Sequence, residues 1–130
     1  MIHFAVSLSV DEAAEKLVDA IAACPMGLVA RINGQANCAQ KGIAVPADQI
    51  LEVFRPDYAV KVWAADKTAG IDIPLRIHLY AEDGLTWIAH RPASRVFQSY
   101  ANLQLDELGS ELDAVFSRLL AALDAWRLPS

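Results

Sequence analysis

The run Gly70 to Pro92, GIDIPLRIHLYAEDGLTWIAHRP, leaves this chain little freedom in what it can fold into. Apolar residues alternate along Leu75, Ile77, Leu79 and Ala81 and again along Leu85, Trp87 and Ala89, with Glu82-Asp83-Gly84 between the two runs. That pattern predicts a β-hairpin. Its loop length decides which side chains share a face. A two-residue Asp83-Gly84 loop sets Trp87 beside Tyr80 and His78, and His90 against the Ile77 and Leu79 side. A three-residue loop, with Gly84 at the left-handed position of a bulge, sets Leu79 opposite Trp87 and Ile77 opposite Ala89. The second register collects Ile77, Leu79, Leu85, Trp87 and Ala89 on one wholly apolar face, and burial favours it. The other face then carries Arg76, His78, Tyr80, Thr86, Ile88 and His90.

At 130 residues the chain can close one hydrophobic core without disulfides or a structural metal, so a single domain over 1–130 is expected. The 55% hydrophobic content is high, yet no apolar run approaches the ~18 residues of a membrane span, and no membrane association is expected. Met1-Ile2-His3 lacks the basic flank and apolar core of a secretory signal, which makes the cytoplasm the expected address. A net charge of -5 without basic clusters argues against nucleic acid, where Lys and Arg must neutralise phosphates. Cys24 and Cys38 form neither a C-x-x-C pair nor part of a His-rich cluster, so neither a redox motif, a metal site nor a cofactor is expected.

Ile2 to Ser7 alternates as a half-buried strand, and Ser9-Val10-Asp11-Glu12 reads as a capping box. Val10, Ala14, Leu17, Val18 and Ile21 continue at helical spacing until Pro25 and Gly27 end the helix. Leu28 to Ile32 predicts a strand, Asn33-Gly34 a turn, and Ala36 to Lys41 one or two helical turns. A further strand is expected over Gln49 to Phe54. The next segment fits two periods: Tyr58, Val60 and Val62 alternate, while Val60, Trp63, Ala64 and Lys67 share a helical face behind Pro56. Leu108, Leu112, Val115, Phe116, Leu119 and Leu123 recur at helical spacing, which predicts a long amphipathic helix to about Trp126.

Gly27-Leu28-Val29-Ala30-Arg31-Ile32, the Gly42-Ile43 step, Gln49 to Phe54 before Pro56, and above all Gly70-Ile71-Asp72-Ile73-Pro74-Leu75-Arg76 with the acidic-Gly turn and Trp87 behind it resemble the family called domain of unknown function 302. The likeness covers roughly Ser9 to Leu123. It implies an α+β domain with an antiparallel-rich sheet and two main helices packed on one face, similar to the TATA-box-binding-protein-like order of strand, helix, four strands and helix. It also implies a helix over Asp57 to Lys67. Where relatives usually carry an Asp-His pair this chain has Asn33-Gly34, and where they tend to have Tyr-x-Asp-Pro it has His90-Arg91-Pro92.

The candidate ligand-binding residues are Arg76, His78, Tyr80 and His90, neighbours with Ile88 on the second face of the adopted register. Arginine suits a carboxylate or phosphate, and neutral imidazole can ligate. A mixed polar sheet face, wet or used in a dimer, is the plainer account of the same residues. Cys38, with Asn37, Gln40 and Lys41 around it, is a candidate nucleophile without a base at defined spacing. Trp63 and Trp126 suit core or interface anchors. The expected function is a non-catalytic homodimeric domain that binds a small ligand or a protein partner through its sheet face or a helix-sheet groove. The alternatives are a small enzyme using Cys38 or the His78/His90 pair, and a structural or assembly module.

Overall fold

A computed structural model describes residues 1–130. Its elements in order are β1 (Ile2–Val6), α1 (Val10–Ala23), β2 (Leu28–Asn33), α2 (Gly34–Ala39), β3 (Asp48–Val53), α3 (Pro56–Ala65), β4 (Leu75–Glu82), β5 (Leu85–His90), α4 (Ala93–Val96) and α5 (Leu103–Ala121). Short 3-10 turns follow α3, α4 and α5. The chain is α+β, and its five strands form one antiparallel sheet in the order β1-β5-β4-β3-β2.

Local chemistry accounts for the main helices. The Ser9 hydroxyl accepts the Glu12 amide at 3.0 Å and the Glu12 carboxylate accepts the Ser9 amide at 2.9 Å, a complete capping box. Behind it Val10, Ala13, Ala14, Leu17 and Ile21 are buried on one stripe of α1. Asn102 caps α5 by accepting the Leu105 amide, and Leu105, Leu108, Leu112, Val115, Phe116, Leu119 and Leu120 line that helix's buried face. Gly109 lets α4 lie against α5, since a Cβ there would sit 2.9 Å from Ser94 Cα. Together these helices and one face of the sheet enclose a core that includes Phe4, Leu51, Val53, Ile77, Leu79 and Ile88.

Residues 57–65 are helical within α3, with Pro56 in the first turn and Tyr58 and Val62 buried, while Asp66 is extended and Lys67 opens a 3-10 turn, so the helix ends two residues before the Lys67 that the resemblance implies. Asn33 caps α2 by accepting the Ala36 amide at 2.9 Å, so Asn33-Gly34 starts a helix where a turn is expected from sequence. No helix is long and apolar enough to cross a membrane.

The hairpin takes the other register. Glu82 pairs with Leu85, Tyr80 with Trp87, Leu79 with Ile88 and Ile77 with His90, which leaves Asp83-Gly84 as a two-residue loop. Both residues have positive φ, 55° and 77°, as a type I′ turn requires. The expected three-residue bulge is therefore incorrect. His90 is buried beside Ile77 on the helix-covered face, and Trp87 stands half-buried on the uncovered face instead of in the core.

Candidate functional site

Strand alternation and the pairing registers assign the uncovered face row by row. One row runs Ile32, Ile50, His78, Ala89 and His3 across the five strands. The next runs Asp48, Tyr80, Trp87 and Ala5, and on the other side Glu52 lies opposite Arg76. Four rings and a carboxylate from four strands thus become neighbours. Trp87 and His3 are 4.7 Å apart between ring centroids, and Tyr80 and His78 are 4.8 Å apart, both pairs near-parallel. His3 Nε2 and Tyr80 Oη share a hydrogen bond of 2.8 Å. His78 Nε2 donates to Asp48 Oδ1 at 2.9 Å, which orients the imidazole as a carboxylate commonly does.

His3, His78 and Tyr80 of this ladder line an open cleft of about 960 Å³, while Trp87 and Asp48 flank it. The opposite wall comes from the Ile71–Leu75 approach to β4 and from the segment after β5, which contributes Arg91, Arg95, Val96 and Ser99. A volume of that size suits a small ligand. The floor carries Arg76, His78 and Tyr80 from β4. Arg76 reaches Glu52 through Nε at 3.3 Å and stays largely exposed. At the rim Tyr100 donates to Asp72 Oδ2 at 2.5 Å, which holds the phenol above its usual titration range.

Of the residues expected to bind a ligand, Arg76, His78 and Tyr80 come together on this face. His90 belongs to the opposite face. Its Nδ1–H donates to the Arg76 carbonyl at 2.8 Å, and its ring lies flat on Phe116 at 4.6 Å. Nε2 is then the unprotonated nitrogen, and it is buried without a partner. Burial pushes the imidazole below its ordinary pKa, outweighing the upward pull of the Arg76 carbonyl and of Asp113. His78 and His90 thus project from opposite sides of the sheet, although both residues border the cleft.

Cys38 lines a separate hollow of about 350 Å³ with Gly34, Asp48 and Tyr80, and no imidazole borders it. No group of three His, Cys, Asp or Glu side chains is arranged to hold a metal ion. Trp63 packs its indole edge over Gly70 and remains half exposed, and Trp126 lies beneath Lys16 Nζ at 4.3 Å. Sequence reasoning missed His3, Asp48, Arg91 and Arg95. His3 was visible as an outward position of β1, but nothing local reveals that β1 pairs with β5.

Domain of unknown function DUF302 matches residues 2–126, and the chain belongs to that family. A crystal structure of an uncharacterized conserved DUF302 protein from Bacillus stearothermophilus is similar over 97% of both chains, with a TM-score of 0.80 and 24% sequence identity. That likeness concerns the fold. Among curated proteins none matches this chain.

Proposed function

We propose that this member of the DUF302 family is a non-catalytic binding domain that takes a small molecule in the cleft on its uncovered sheet face and works as a homodimer. The observation that carries the reading is the ladder of Trp87, His3, Tyr80, His78 and Asp48 beside a cleft of about 960 Å³. Residues of β1, β4 and β5 line the cleft, and one side of it is built by α4 and the residues flanking it. A sheet face that only needed solvation would have little use for such a constellation. The non-catalytic part of the reading is supported by Cys38, the one candidate nucleophile, which has no base beside it. The exposed arginine side chains suit recognition by hydrogen bonding. We place such a domain in the cytoplasm.

The test compares native and denatured masses of protein purified without denaturant. A small molecule retained by the wild type and lost from a Tyr80→Ala, His78→Ala double variant is the expected result. Retention that this double variant leaves unchanged would place the ligand elsewhere and overturn the reading.

A further inference from the structure

We propose that the end of the cleft bounded by Arg76, Arg91 and Arg95 is an oxyanion site, and that the molecule bound there carries a phosphoryl or carboxylate group. This rests on the cleft reading and adds the chemical class of its ligand. The chain has seven arginines and an excess of acidic residues, 16 against 11 basic ones, so carboxylates are available to pair with every guanidinium. Arg31 is engaged by Asp11 and Glu15, and Arg55 by Asp57. Arg91, Arg95, Arg118 and Arg127 form no ion pair, and of these only the exposed Arg91 and Arg95 line the cleft.

The pairing of β4 with β5 ends at Ile77 and His90, one residue short of Arg76 and Arg91, and both arginines line the same cleft. Like charges held close together are unfavourable unless something negative lies between them. Glu52, at 3.3 Å from Arg76, balances one of the three. Of the two acids that line the cleft, Asp72 is held by Tyr100, and Glu82 lies at the opposite end of β4. Six steps along the strand separate Arg76 from Glu82, roughly 20 Å at the usual rise per residue. The cleft is therefore polarised, cationic at the Arg76 end and acidic at the turn end. Guanidinium groups recognise carboxylate and phosphate oxygens with paired, charge-assisted hydrogen bonds.

Inorganic phosphate and citrate are the probes, titrated into 15N-labelled protein at constant ionic strength set with chloride. Saturable shifts of amide and arginine side-chain signals in 71–76 and 89–96 are expected for at least one anion. Arg91→Gln with Arg95→Gln should weaken that binding by about tenfold or more, since each lost charge-assisted contact is worth at least that much. Arg118→Gln, an exposed arginine of α5 outside the cleft, should leave it unchanged. All three sites are solvent-facing, so circular dichroism should report the same fold for each variant. Absence of saturable shifts with both probes, or equal weakening by Arg118→Gln, overturns the oxyanion site. A retained natural ligand that proves to be neutral would overturn it too, while leaving the cleft reading standing.

Discussion

His90 shows how one side chain couples the hairpin to the helices. Stacked on Phe116 of α5 and bonded through Nδ1–H to the Arg76 carbonyl, it is locked in one tautomer with Nε2 bare and buried. Leaving a buried polar atom without a partner costs about 1–3 kcal/mol, and protonating it there would cost more. Its pKa is held down in the fold, chiefly by burial. The unfolded chain, where histidine titrates near ~6.5, therefore binds the proton more readily than the native state. Stability should be fully present above that value and should fall as pH drops through it, by at most about 1.4 kcal/mol per pH unit for this one group. Urea unfolding between neutral and mildly acidic pH checks this. His90→Leu removes only the buried ring, so the shallower slope expected of that variant isolates its contribution. Identical slopes would mean that His90 is not held neutral by the fold.

At the level of the element, the β4–β5 hairpin depends on two residues at positive φ, Asp83 and Gly84. Gly84→Val should cost about 1–3 kcal/mol, because a β-branched side chain is strained in that region. The two-residue register also orders the core. Leu79→Ala removes a fully buried side chain and should cost about 2–5 kcal/mol. Trp87→Ala should cost less than that, because Trp87 stands half-buried on the uncovered face against His3. Chemical denaturation of the three variants checks the ranking, and a larger loss for Trp87→Ala would contradict the pairing. The hairpin itself was legible from alternation, and the helices from caps and spacing. The register was not, because the sheet breaks the simple rule that one face is apolar. Trp87 and Ala89 lie on the uncovered side, while Thr86 and His90 are buried on the other. Choosing the loop that gathered the apolar residues therefore chose wrongly. The Asp-Gly pair, a strong signal for a type I′ turn, pointed to the observed geometry. Arg76, His78 and Tyr80 were found because they alternate within one strand. His3, Asp48, Arg91 and Arg95 join them only through strand order and the path after β5, which no local pattern encodes.

For the molecule as a whole, the two edges of the sheet are treated differently. The outer edge of β1 is covered by the C-terminal segment: Ser7 N–H donates to the Trp126 carbonyl, Leu128 N–H donates to the Ala5 carbonyl, and Val6 bridges Arg127. β2 ends the sheet on the other side with no strand beyond it. Its Leu28, Val29 and Ile32 are 38%, 58% and 40% exposed, an apolar edge of the kind that single-chain proteins usually guard with lysine, proline or a bulge. A bulge does lie between Leu28 and Ala30, but no charged side chain points outward beside it except Arg31, which is drawn back to Asp11 and Glu15 of α1. Pairing with the same strand of a second copy would satisfy this edge symmetrically, as an isologous dimer requires. It would also leave the cleft free, since the arginine end lies toward β4, β5 and α4. Gel filtration with light scattering should therefore give a dimer at micromolar concentration. Val29→Lys should give a monomer with an unchanged far-ultraviolet spectrum, because a lysine on an edge opposes strand addition without entering the core. A wild type that is monomeric throughout that range removes the edge as a dimer interface. A dimer that survives Val29→Lys moves the interface off β2.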